Sequence, residues 1–279
     1  MNIFIGLAVL ILGSIVGSFL NVVILRLNNK MTRSQRSVCM SCGHVLSWRD
    51  LIPVLSYVFL RGRCRYCHSR FSAQYAITET TTAIAFLLVI FRGGVINMDS
   101  IFDMHFMVYT MVLWVLTSLL VVMTFYDVKH KIVPLQASVP FVSISFLSIF
   151  FASDAIRFID VFLGMDFWSG IFLALPFLAL WAISRGRWIG FGDIFLMFGI
   201  GWLLGLEGGI TAVLLAFWSA TLFLIVILLP ALYMWNKSLC NVKKGSIMKA
   251  EIPLIPFLAL GTFSVLITGF NMFTFLGLW

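Results

Sequence analysis

Apolar residues run through this chain in long blocks, punctuated by Pro, Gly and charged clusters. Blocks able to span ~30 Å of hydrocarbon, at about 1.5 Å rise per residue, lie near 3-25, 76-91, 107-126, 133-152, 167-184, 189-206, 209-235 and 252-276. They predict an all-α polytopic membrane protein of about eight transmembrane helices. The sequence carries no internal repeat, low-complexity tract or appended soluble domain. The first block lacks a basic n-region and an A-x-A cleavage site, so it reads as a retained membrane helix. The expected organisation is a first helix over 1-25, a polar loop over 26-75 and a membrane core of about seven helices over 76-279.

Composition agrees with lipid as the main solvent. Of 279 residues 61% are apolar and 11% charged, with a mean hydropathy of +1.06, and a surface built this way cannot be covered by polar groups. The 28 Phe, 13 Met and 9 Trp suit lipid contact and helix packing, and they imply no cofactor box.

Threading the blocks alternately across a membrane sorts the charges. One side holds Arg26, Lys30, Arg33, Arg36, Arg49, Arg61, Arg63, Arg65, Arg70, Lys129, Lys131, Arg185, Arg187, Lys237, Lys243, Lys244 and Lys249, which is 17 of the 19 basic residues; the other holds Arg92 and Arg157. The opposite loops carry Asp99, Asp103, Asp154, Asp160, Asp166 and Glu207. Because basic loops stay in the cytoplasm, the 26-75 loop is expected inside and both termini outside. The net charge of +8 then reflects topology and contact with anionic lipids, not a nucleic-acid site.

The basic loop contains Cys39-Met-Ser-Cys42 and, after 21 intervening residues, Cys64-Arg-Tyr-Cys67. Each pair offers two sulfurs within one tight turn, and four complete a tetrahedron, so Cys39, Cys42, Cys64 and Cys67 read as a structural zinc site. Reducing cytoplasm argues against disulfides, and neighbouring basic residues favour the thiolate. A loop too small and polar to build a core would fold around such a metal. His44 and His68 read as loop histidines, and Cys240 as a free thiol.

Charged residues inside a membrane are functional candidates by default. Asp127 ends the third block in Phe125-Tyr126-Asp127, and Asp193 opens the sixth in Gly190-Phe191-Gly192-Asp193, both at the cytoplasmic edge. Two carboxyl groups held at one depth share a proton: the ionised one activates water and the protonated one polarises a scissile carbonyl. Gly190 and Gly192 leave room for an extended substrate backbone beside Asp193. Glu79, near the cytoplasmic end of the second block, is a further substrate-proximal candidate.

These residues, taken in order, carry a family resemblance. Gly17-Ser18-Phe19-Leu20-Asn21-Val22-Val23, the paired cysteines with Ile52-Pro53-Val54-Leu55-Ser56 between them, Arg61-Gly62-Arg63-Cys64, both aspartate motifs and Pro256-Phe257-Leu258-Ala259-Leu260-Gly261 are similar to the bifunctional type IV prepilin peptidases with N-methyltransferase activity. The resemblance implies that Asp127 and Asp193 cut the basic leader from prepilin and pseudopilin precursors of type IV pilus and type II secretion systems. The cut would lie at the cytoplasmic face of a bacterial inner membrane. It further implies methylation of the new N-terminus from S-adenosylmethionine, attributed to the cysteine-loop region. Four positions depart from the family pattern: Phe195 stands for a lysine, Leu254-Ile255 for Phe-Gly, Gln74-Tyr75-Ala76 for Arg-Tyr-Pro and Leu51 for an asparagine. Competing readings are a presenilin-like protease, a transporter binding cations at its two aspartates, and a non-catalytic zinc-loop scaffold.

Overall fold

A computed structural model describes residues 2–27, 37–39, 41–92, 103–152, 164–228, 253–275 and 277. Of the residues named above, Lys30, Arg33, Arg36, Asp99, Asp154, Arg157, Asp160, Lys237, Cys240, Lys243, Lys244 and Lys249 lie outside these, as does the seventh block beyond 228. The described regular structure is helical: α1 (Asn2–Arg26), α2 (Leu55–Phe59), α3 (Gln74–Ile90), α4 (Met104–His130), α5 (Leu135–Ala152), α6 (Met165–Ser184), α7 (Phe191–Phe223), α8 (Ile255–Thr268) and α9 (Met272–Phe275). Four stretches are long and apolar enough to cross a membrane, Ile3–Arg26, Met104–His130, Met165–Ser184 and Phe191–Ile227; α3, α5 and α8 are shorter apolar helices.

The helices fall on the predicted blocks with one difference. The sixth and seventh blocks are carried by α7, whose 33 residues would extend about 50 Å if straight, well beyond ~30 Å of hydrocarbon. Gly205, with φ 72° and ψ 176°, breaks it. Gly201 and Gly209 would stand about 12 Å apart along a straight helix. Yet a Cβ on Gly209 would lie 3.5 Å from the Cα of Gly201, so the chain turns back on itself at Gly205. Only a residue without a side chain adopts that backbone easily.

By packing, the chain divides into Met1–Phe125 and Tyr126–Trp279. In the first unit α1 lies on α3 at a glycine seam: a Cβ on Gly13 would come 2.7 Å from the Cα of Ala83, and one on Gly17 equally close to that of Glu79. Helix association in lipid depends on such close approach, because lipid tails are as apolar as the side chains they replace. The second helix therefore sits with α1 and the cysteine loop. Trp114 of α4 stacks on Phe86 of α3 at 5.0 Å and donates its indole N–H to the Phe86 carbonyl at 3.2 Å.

In the second unit α7 is the central element, packed by α5, α6 and α8. Gly170 of α6 meets Gly201, Phe141 of α5 covers Gly199, and Gly261 of α8 abuts the Ala212 carbonyl. Two hydroxyls buried in these helices bond back to the preceding turn, Thr211 to Glu207 and Thr262 to Leu258, whereas Ser145 on α5 is buried without a partner among the described residues. Beyond the Gly205 turn, Glu207 accepts from Asn271 and the Met272 N–H reaches the Thr211 hydroxyl. Asp127 and Asp193 lie near the other end of these helices.

Replacing Gly17 with leucine forces α1 off α3. The expected result is a lower unfolding midpoint in detergent, a loss of about 1–3 kcal/mol, while Leu7→Ala at an exposed position leaves the midpoint unchanged.

Candidate active site and metal centre

The two cysteine pairs fold as copies of one turn. The Gly43 N–H donates to the Cys39 carbonyl at 2.8 Å and the His68 N–H to the Cys64 carbonyl at 3.0 Å. Cys39 N–H donates to His44 and Cys64 N–H to Ser69, each at 2.9 Å. In both turns the fourth residue after the first cysteine has positive φ, Gly43 at 70° and His68 at 55°. The bridges Val38–Val45 and Arg63–Arg70 close the turns. All four sulfurs lie within 4.8 Å of one another, and Cys39 and Cys67 are 3.8 Å apart. Zinc–sulfur bonds of ~2.3 Å in a tetrahedron give edges of about 3.8 Å, so the donor set stands at the spacing metal ligation demands.

The surroundings lower two of the four thiols, while burial and the neighbouring cysteines push Cys42 up to about 11. Backbone N–H groups of Cys42 and Ser41 bring the Cys39 thiol down to about 6, and Ser69 lowers that of Cys67. His44 stacks on Tyr66 at 3.6 Å, while His68 serves the second turn through its backbone. Neither joins the sulfur cluster.

Asp50 is a residue the sequence reading passed over. Its side chain is 3% exposed and holds the two turns in register. One oxygen accepts from the Ser47 N–H at 3.1 Å, the Ser47 hydroxyl at 2.8 Å and the Tyr66 hydroxyl at 3.3 Å, while the other lies 2.8 Å from Arg65 Nε. Burial opposes its charge, but the Ser47 hydrogen bonds and the Arg65 charge outweigh it and leave the carboxyl below its usual range. A carboxyl lowered in this way stabilises the fold above its ordinary pKa of about 4, and that contribution disappears as pH falls through the lowered value. Ser47-Trp48-Arg49-Asp50 has the spacing of a capping box, which was the available signal.

Glu79 is buried on α3, and its Oε2 accepts the Val54 N–H at 2.7 Å while Ser18 also bonds the carboxylate. Val54 has φ 60° and ψ −50°, and the next N–H, on Leu55, returns to the Pro53 carbonyl at 2.6 Å. That is a γ-turn in a conformation a β-branched residue rarely adopts. Glu79 therefore anchors the Ile52-to-Ser56 stretch to α3 through a strained turn.

Asp127 and Asp193 both belong to the second unit. Asp127, 5% exposed near the end of α4, accepts the backbone N–H of Ile255 at 3.2 Å from the start of α8. The donor is main chain, so the departure from Phe-Gly at Leu254-Ile255 leaves this bond available. Asp193, in the first turn of α7, accepts the Gly190 N–H at 3.2 Å and is half-buried. The two carboxyl groups are near enough to interact electrostatically. Gly190 supplies that N-cap contact. Gly192 is buried, and a Cβ there would collide with Val133, in the turn between α4 and α5. Its missing side chain lets that turn, six residues beyond Asp127, dock on α7 next to Asp193.

A helical membrane protein carrying an interacting aspartate pair at one end of its carboxy-terminal helices is the class that fold and site define. Residues 11–92 match the Bacterial Peptidase A24 N-terminal domain and residues 114–226 the Type IV leader peptidase family. The chain is similar to a prepilin leader peptidase/N-methyltransferase of Pectobacterium carotovorum subsp. carotovorum, at 30% identity over 94% of this chain and 93% of that protein. The enzyme of the same name from Myxococcus xanthus (strain DK1622) is 35% identical over 67% of this chain, a match spanning only 52% of that protein's length. That of Vibrio cholerae serotype O1 is 40% identical over 29% of this chain and 34% of its own length. No solved structure matches. The chain belongs to the type IV leader peptidase family.

The sulfur cluster makes a direct prediction. Purified protein is expected to carry about one metal equivalent per chain, and Cys64→Ser to lose it, as read by elemental mass spectrometry.

Proposed function

We propose that the protein removes the basic leader peptide from type IV prepilins and pseudopilins at the cytoplasmic face of a bacterial inner membrane and methylates the new amino terminus. What supports this reading is that Asp127 and Asp193, on helices distant in sequence, are near enough to interact electrostatically, in a chain whose family is that of the leader peptidases. In hydrolysis the ionised carboxylate takes a proton from water as its oxygen attacks the scissile carbonyl carbon. The protonated partner hydrogen-bonds the carbonyl oxygen; collapse then breaks the C–N bond, and the leaving nitrogen receives a proton. The Ile255 N–H orients Asp127 and the Gly190 N–H orients Asp193.

The proposed topology has eight crossings, counting the two arms of α7 separately, with both termini outside and the cysteine loop inside against anionic lipid. A substrate helix packed among the spans would present its leader junction at the depth of the aspartates, so position would select the bond. Gly190 and Glu79 remain the substrate-proximal candidates, while Gly192 is assigned to docking Val133. Zinc, held by Cys39, Cys42, Cys64 and Cys67, would fix the loop and take no part in hydrolysis. For the second reaction S-adenosylmethionine, when bound, would supply the methyl group that the new amine takes up, the amine releasing a proton to solvent.

Cleavage of co-expressed prepilin, followed by gel shift and by mass spectrometry of the product's N-terminus, tests both activities. Asp127→Asn and Asp193→Asn are each expected to abolish cleavage, and persistence of cutting in both would overturn the aspartyl mechanism. Gly192→Ala is expected to reduce cleavage strongly by displacing Val133, and Val133→Ala in the same chain to restore part of it. Failure of that rescue would separate Gly192 from Val133 and return it to the substrate.

A further inference from the structure

Residues 51–60 of the cysteine loop carry no charge, although the loop around them is strongly basic. Arg49 precedes the run, and Arg61 and Arg63 follow it. Within it α2 packs Tyr57 edge-on to Phe71 and leaves Leu55, Val58 and Phe59 exposed. These three stand at i, i+3 and i+4, on one face of the helix. Val58 is 63% and Phe59 81% exposed, and Leu51 and Ile52 just before the helix are exposed as well. Trp48 is open too, with the Arg49 guanidinium over its ring at 5.3 Å, a pairing suited to the headgroup level of a bilayer.

Two helices act as rulers for the depth of this face. The Val54 N–H, at the head of α2, is held by Glu79, the sixth residue of α3, and Gly17 of α1 lies against the Glu79 backbone. Gly17 is nine residues short of Arg26, the basic end of α1, so about 13 Å of helix separates the level of Glu79 from that of Arg26. Headgroups occupy only ~5–7 Å on each side of the hydrocarbon. With Arg26 among them, α2 begins at the level of the acyl chains. The second ruler agrees: the 17 residues of α3 extend about 25 Å, less than ~30 Å of hydrocarbon, and Glu79 lies more than a turn inside its start. Main chain at such a depth has to satisfy its polar groups without water. The N–H groups of Leu55, Ser56, Val58, Leu60, Arg61 and Gly62 all donate to carbonyls of the same segment, and that of Val54 goes to the Glu79 carboxylate.

We propose that residues 51–60 are an interfacial anchor: Leu55, Val58 and Phe59 lie among the acyl chains of the cytoplasmic leaflet, and Arg49, Arg61 and Arg63 bind anionic headgroups around them. The proposal rests on the membrane topology read above and on neither enzymatic reaction. It holds the metal-centred loop on the bilayer instead of free in the cytoplasm, and it gives the strained Val54 turn a purpose, since the carboxylate there takes an N–H that lipid could not.

Fluorescence of full-length protein in phosphatidylcholine–phosphatidylglycerol bilayers tests it. Phe59→Trp adds one emitter to the nine native tryptophans, and the difference from wild type reports its surroundings. Lipid brominated on the upper acyl chain is expected to quench about half or more of the added emission, while aqueous acrylamide leaves it nearly intact. Arg49→Gln with Arg61→Gln, or bilayers of phosphatidylcholine alone, are expected to reduce that quenching about twofold. Metal content reports whether each variant is folded, and Val58→Trp on the same face replaces Phe59→Trp should the latter fail. Added emission quenched by acrylamide and not by brominated lipid puts the face in water and overturns the proposal. Emission that neither reagent quenches buries the face against protein, from this chain or a second copy, and overturns it equally. Lipid quenching indifferent to both charge changes removes the headgroup contact. Wild-type emission is the separate control: if brominated lipid leaves it unquenched, the membrane reading itself fails, whereas a quenched wild type with an unquenched Phe59→Trp increment sinks the anchor alone.

Discussion

Lipid tails solvate leucine and phenylalanine as well as a neighbouring helix does, so this chain cannot hold its spans together by hydrophobic burial. What remains is close approach, and close approach requires residues with little side chain. Each described helix–helix seam is built on it: Gly13 and Gly17 against Ala83 and Glu79, Gly170 against Gly201, Gly261 against the Ala212 carbonyl. Those seams fix where every polar group sits. Gly17 sets α1 on α3 beside Glu79, and Gly192 sets the Val133 turn on α7 beside Asp193.

The cysteine loop meets a different constraint. Among its described residues, the short helix α2 and the 3-10 turn at Trp48–Asp50 contribute no buried apolar residue. Four converging sulfurs supply the centre that apolar side chains cannot, and a buried carboxylate, Asp50, ties the first turn to the second. Glu79 then fastens the loop to the membrane helices through the Val54 N–H. One chain of contacts thus runs from metal ligands to α3.

The two candidate catalytic aspartates are held from different parts of the chain. Sixty-six positions separate the two residues, and each is oriented by a main-chain N–H, from Ile255 and Gly190. Main-chain donors hold a carboxylate without constraining the side chain that carries the donor. The variation at Leu254-Ile255 is therefore compatible with an intact Asp127 contact.

Much of this was legible in the sequence because membranes impose strong local rules. Long apolar blocks, C-x-x-C spacing and charged residues at span ends are one-dimensional signals, and they marked the helices and the four cysteines whose sulfurs converge, and singled out both aspartates as candidates. The turn at Gly205 was marked less sharply, since an apolar run reads the same whether the chain continues or reverses. Asp50 and the strained Val54 turn could not be weighed, because a carboxylate's importance depends on which donors surround it. Gly192 was assigned to the substrate and found against Val133, for a missing side chain gives no hint of what fills its place. The sequence determined which residues are chemically able to act; tertiary packing decided which of them come together, as the four sulfurs do within 4.8 Å, since partners far apart along the chain are juxtaposed only by folding.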